Sequence, residues 1–133
     1  MIMSLAFFDV RPVSEEKGRG AIAKKNIKAG TVLDVSQVIF VTDEEYDQLA
    51  NTCVYNYLFE WQIDGEPLKY VLAMSPCEFI NHSYDPNAKY EMDYDNNTII
   101  FKTIKDIKKG EELTVNYNGD VDNNDPLWFV VKD

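Results

Sequence analysis

The sequence has one histidine, two cysteines and thirteen basic residues against twenty-three acidic ones in a chain of 133. A lone histidine, with Cys53 and Cys77 outside any zinc-ligand spacing, leaves no metal cluster to build, and no metal site is expected. Two thiols are also too few for a disulfide-stapled secreted chain, so both are expected to be reduced in an intracellular setting, cytoplasmic or nuclear. The formal charge of −10 repels nucleic-acid phosphates and anionic membranes, which argues against direct nucleic-acid binding and favours a basic protein or peptide partner. Long apolar runs are missing too. Met1 to Phe8 is apolar, but Asp9 and Arg11 cut it short and it has no basic leader. It is read as a strand, neither signal peptide nor membrane span.

What is present is enough for one compact domain over 1–133, at 45% hydrophobic residues. Eight tyrosines and seven phenylalanines exceed what a core of this size requires. Most will fill strands, and the rest are available as walls of a site. Polar groups gather in Phe79-Ile80-Asn81-His82-Ser83-Tyr84-Asp85-Pro86-Asn87, which holds the single histidine. Asn, Ser and Asp side chains bond nearby backbone, and Pro86 keeps Asp85 out of helix, so a fixed polar loop is expected. Such a loop is either a well-made turn or a ligand loop whose amides read a flat polar ring.

The remaining pattern is mainly β. Strands are expected around Leu5 to Val10, Ala21 to Ala23, Thr31 to Val41, Leu68 to Met74 and Glu111 to Tyr117, with a hairpin from Ala88 to Ile104 turning at Asp95-Asn96-Asn97. Thr42-Asp43-Glu44-Glu45 is a capping box that opens a short helix to about Leu49. Cys53 to Trp61 is strand-like or briefly helical, and periodicity does not separate the two. The turn Asn26-Ile27-Lys28-Ala29-Gly30 is echoed by Asp106-Ile107-Lys108-Lys109-Gly110, which predicts two similar corners of one fold.

Three stretches then align in order: KGRGAIA at 17–23, FINHSYDPNA at 79–88 and GEELTVNYNGD at 110–120. Together they resemble the SET-domain lysine methyltransferases, in the small form without cysteine-rich flanks. The resemblance implies a β-clip of several small sheets with one or two short helices and a knot-like threading of the C-terminal strand beneath the polar loop. It places a variable insert at about 42–70 and a tail at 121–133. It also implies S-adenosylmethionine as cofactor, a lysine-bearing basic protein such as a histone tail as substrate, and a possible homodimer as in some small relatives. Carried across by position, Lys17, Gly18, Arg19, Gly20, Asn81 and His82 are the cofactor-binding residues. Tyr117 is the active-site tyrosine and also meets the cofactor, while Tyr57 lines the lysine channel. Trp128, or alternatively Phe129, covers the adenine. Glu78 stands where the family often has arginine, Tyr84 where it often has cysteine and Asn116 where it often has aspartate. The first two are expected to leave the core motif untouched, and Asn116 to be structural.

The chemistry suits these residues. Methyl transfer to an amine needs a neutral lysine, whereas free lysine titrates near ~10.4. A channel of tyrosines desolvates the amine, and a nearby sulfonium disfavours a second cation. In that role the Tyr117 hydroxyl would orient the amine or methyl group, and its ring would favour the sulfonium by cation–π attraction; with an ordinary pKa of about 10 it is a poor base. His82 is expected to be a hydrogen-bonded structural histidine that contributes mainly backbone. A β-clip module that binds without methylating is the alternative function.

Overall fold

The computed structural model describes residues 6–127. Among these residues nine strands form two sheets. The first is ordered β1-β2-β9-β6, from Phe8–Ser14, Gly18–Ala23, Glu112–Val115 and Asn81–His82. The second is ordered β4-β5-β3-β8-β7, from Leu58–Trp61, Lys69–Ala73, Val32–Val41, Thr98–Thr103 and Ala88–Asp93. Every pairing is antiparallel except that of β6 with β9, where Asn81 faces Thr114 and His82 faces Val115. Among the described residues no helix is long and apolar enough to cross a membrane.

The five-stranded sheet is curled, because aromatic residues on its two edge strands meet. Phe59 of β4 lies 4.9 Å edge-on from Tyr90 of β7, and Trp61 lies 4.8 Å from Tyr94. Inside the curl, Trp61, Val71, Ile99 and Phe101 are almost fully buried. Each such side chain contributes roughly 1.5–3 kcal/mol of transfer free energy, enough to hold the edges of the sheet together around this interior.

The echoed corners are partners. Ile27 and Ile107 exchange backbone hydrogen bonds of 2.8 Å in both directions. Asn26 Oδ1 accepts from the Lys109 N–H at 3.0 Å, and Asp106 Oδ1 accepts from the Ala29 N–H at 2.8 Å. Gly30 donates to the Thr103 carbonyl while Gly110 donates to that of Ala23, so the two turns cap one another reciprocally. Both glycines have positive φ, 82° and 92°, as this reversal requires.

Helix α1 spans Asp43–Leu49, and its capping box is complete: Glu45 N–H donates to Thr42 Oγ1 while Glu45 Oε1 accepts from Thr42 N–H, both at 3.1 Å. The ambiguous stretch resolves into a 3-10 turn, Cys53–Tyr57, followed by β4. Strand β1 runs on to Ser14 rather than stopping near Val10. It is an edge strand, where Pro12 costs no ladder bond, and its register shifts between Pro12 and Ser14. The polar loop is not all turn: Asn81 and His82 form β6, whose partners in β9, Thr114 and Val115, lie more than thirty residues further on, outside any local pattern.

Candidate active site

Strand β9 runs between β2 and β6, and this crossing assembles the site. Ser83 N–H donates to the Val115 carbonyl at 2.9 Å, so the chain leaving β9 is held against the polar loop as Tyr117 emerges. His82 is buried, and its Nδ1 accepts the Tyr117 backbone N–H at 3.0 Å, which identifies a ring unprotonated at Nδ1. The Tyr117 hydroxyl donates to the Ile80 carbonyl at 2.8 Å. Further along, Tyr84 OH donates to the Asp125 carbonyl at 3.0 Å, fastening the later chain to the same loop.

A polar network joins this crossing to the turn before β2. Lys17 Nζ meets Glu112 Oε1 at 2.6 Å, and Glu112 Oε2 accepts from Asn81 Nδ2 at 2.8 Å. Asn81 Nδ2 also donates to the Arg19 carbonyl at 3.1 Å, and the Arg19 guanidinium lies 4.6 Å above the Phe79 ring. Both amide protons of Asn81 are therefore spent on the protein, and its carbonyl oxygen is the side-chain group it can offer a ligand. At Gly20 an added Cβ would sit 2.7 Å from Asn81 Nδ2, 2.7 Å from Glu112 Oε2 and 2.6 Å from Val13 Cγ2. Gly18 has φ of +73° and open space where a side chain would be.

Lys17, Gly18, Arg19, Asn81, His82, Tyr57 and Tyr117 border one cavity of about 1260 Å³. Gly20 does not: it sits behind the wall and keeps the network close-packed. Trp128 and Phe129 lie outside the described residues. Two wall residues escaped the sequence reading. Tyr90 donates its hydroxyl to the Tyr117 carbonyl at 3.3 Å; its place in the alternation of β7, two residues after buried Ala88, is the signal that marks it as inward-facing. Glu78 also lines the cavity, although the sequence reading left it apart from the core motif. Its only signal is a carboxylate in the otherwise apolar run Cys77-Glu78-Phe79-Ile80.

Burial governs the acidities. It pushes the Glu78 carboxyl up to about 8 and the Tyr90 phenol up to about 12, where Glu60 adds to the effect. Burial, reinforced by the charge of Glu78, raises the Tyr117 phenol still further above its ordinary range. Both phenols keep their protons near neutral pH and act as hydrogen-bonding groups.

Residues 18–118 match the family model of the SET domain. The chain belongs to the SET-domain family. It is 36% identical over 117 residues to a Schizosaccharomyces pombe histone-lysine N-methyltransferase specific for H3 lysine-37, covering 87% of this chain and 73% of that protein. It is 30% identical over 128 residues to the Neurospora crassa H3 lysine-9 specific enzyme dim-5, covering 78% of this chain but 39% of that protein. Among solved structures, one addressing the product specificity of histone lysine methyltransferases is 29% identical, with a TM-score of 0.68 over 84% of this chain and 50% of its own. A Plasmodium falciparum candidate histone methyltransferase shares the fold at 23% identity, with a TM-score of 0.62 over 84% of this chain and 92% of its own.

SET-domain methyltransferases use S-adenosylmethionine as methyl donor. The residues of this SET domain fit that group. Asn81 offers an amide oxygen suited to the cofactor's ammonium, the open backbone at Gly18 allows close approach, and the aromatic wall suits a sulfonium. The cavity is also large enough for the cofactor and a lysine side chain together.

Proposed function

We propose that the chain transfers methyl groups from S-adenosylmethionine to lysine side chains of a basic protein, with a histone tail as the substrate class. The observation that carries this reading is the meeting, in one cavity, of the Lys17–Arg19 turn and Asn81 with the phenols of Tyr57, Tyr90 and Tyr117. The named relatives act on different lysines of histone H3, so the reading extends to the class and not to a position. The acidic charge of the chain complements such a tail.

Bound S-adenosylmethionine supplies an electrophilic methyl group on a sulfonium. The protein contributes binding, desolvation and alignment. The Lys17–Arg19 turn and the Asn81 oxygen would hold the cofactor, and Tyr57 would wall the approach of the lysine. Because the Tyr117 hydroxyl donates its hydrogen bond to the Ile80 carbonyl, it can meet an amine N–H only as an acceptor. That arrangement orients the nitrogen lone pair without charging it. His82 acts through Tyr117, fixing that residue's backbone, and is a positioning residue.

The test is transfer of labelled methyl from S-adenosylmethionine to histone H3, with calorimetry of cofactor binding alongside. Wild type is expected to bind the cofactor and label the histone. Tyr117→Phe is expected to bind it with similar affinity while the transfer rate falls on the order of 10²-fold. Absence of cofactor binding by the wild type would remove the reading.

A further inference from the structure

A lysine enters as an ammonium ion, so a methylating site must dispose of a proton before the nitrogen can attack. Tyr117 is not the acceptor: its phenol is held protonated and already donates to Ile80. The nearby Tyr90 phenol and the Cys77 thiol are likewise pushed up to about 12, and His82 has its Nδ1 committed to the Tyr117 N–H.

Glu78 is differently placed. It belongs to the 3-10 turn Pro76–Phe79, two residues before the Ile80 carbonyl that holds Tyr117. The turn is pinned: Ser75 Oγ accepts from Cys77 N–H at 3.0 Å and donates to Asp34 Oδ2 of β3 at 2.6 Å. Glu78 shares the cavity wall with Tyr57 and Tyr117, and its charge is the strongest of those acting on the Tyr117 phenol. Its Oε2 is buried and has no hydrogen-bond partner among the described residues. Neither cation of the neighbouring turn serves it, since Lys17 pairs with Glu112 and Arg19 sits over Phe79. Burying an unpartnered carboxyl is costly, and the fold alone supplies no return for it.

We propose that Glu78 is the proton acceptor for the substrate lysine. As its carboxylate it takes a proton from the ε-ammonium: an O–H bond forms as the N–H bond breaks, and a neutral amine remains to attack the methyl group. The neutral acid then releases that proton to solvent through the cavity before the next transfer. An ordinary carboxylate would instead hold the ammonium as an ion pair. A carboxyl whose burial brings its affinity for the proton toward that of a desolvated amine accepts it at little cost. This assignment rests on the methyltransferase reading above.

The experiment is single-turnover methyl transfer by cofactor-loaded protein to a lysine peptide across a pH series. It compares wild type with Glu78→Gln and Glu78→Asp, with cofactor affinity measured for each. Wild type is expected to show a rate that climbs with pH through an inflection near about 8. Glu78→Gln is expected to keep cofactor affinity, lose that inflection and fall about 10²-fold in rate, with partial recovery in Glu78→Asp. A Glu78→Gln variant that matches wild type in rate and pH profile overturns this assignment alone. A wild-type protein that binds the cofactor weakly or not at all and transfers nothing overturns the methyltransferase reading together with it.

Discussion

Glu78 also leaves a mark on stability, apart from any chemistry. Its folded-state pKa of about 8 lies above the ordinary carboxyl value of 4.5, so the folded protein binds this proton more tightly than the unfolded chain. The stability it contributes is fully present below about pH 4.5, declines as the pH rises, and is lost above about 8. Glu78→Gln removes that dependence. Urea unfolding is expected to find the variant gaining on wild type between those two values; parallel curves would contradict the burial argument. At Gly20 the opposite holds, since Gly20→Ala forces a methyl group into Asn81, Glu112 and Val13. Destabilisation of about 1–3 kcal/mol is expected in the same assay, with weaker cofactor binding by calorimetry. The place of Tyr117 on the cavity wall was legible in the sequence because the GEELT context marks it. Glu78 was not, because residue type does not disclose burial, and burial is what sets its acidity.

At the scale of elements, local chemistry was the legible part. The Thr42 capping box appears with both of its hydrogen bonds, and Thr42→Ala is expected to cost about 1 kcal/mol in denaturant unfolding. The hairpin of β7 and β8 and the glycine corners also stand where alternation and turn residues put them. Long-range pairing was less accessible. The echo of Asn26-Ile27 by Asp106-Ile107 announced similar corners, while their reciprocal bonding depends on contacts about eighty residues apart that no local pattern contains. Ile27→Ala and Ile107→Ala are each expected to cost about 2–5 kcal/mol. In a double-mutant cycle the two should be non-additive by about 0.5–3 kcal/mol, because they share one bridge; strict additivity would show that the corners act independently. β6 escaped for the same reason. Asn81 and His82 are too few to read as a strand until β9 supplies the partner.

Across the whole molecule, two curled sheets and the crossing of β9 between β2 and β6 bring residues 17–19, 57, 78–82, 90 and 117 to one cavity. The three motifs were visible as a set in the sequence; their convergence, and the Asn81–Glu112–Lys17 network that secures it, required the fold. A chain of formal charge −10 acting on a basic tail should also be sensitive to salt. Its KM for a lysine-rich peptide is expected to rise with ionic strength while its affinity for S-adenosylmethionine changes little, as steady-state kinetics and calorimetry can establish. The most direct test of the central claim is intact-protein mass spectrometry of histone H3 after incubation with this chain and S-adenosylmethionine, followed by mapping of the modified residue. The account predicts methyl additions on lysine that are lost or greatly slowed with Tyr117→Phe. A wild-type reaction that binds the cofactor but leaves the histone mass unchanged, or methylates a residue other than lysine, would contradict it.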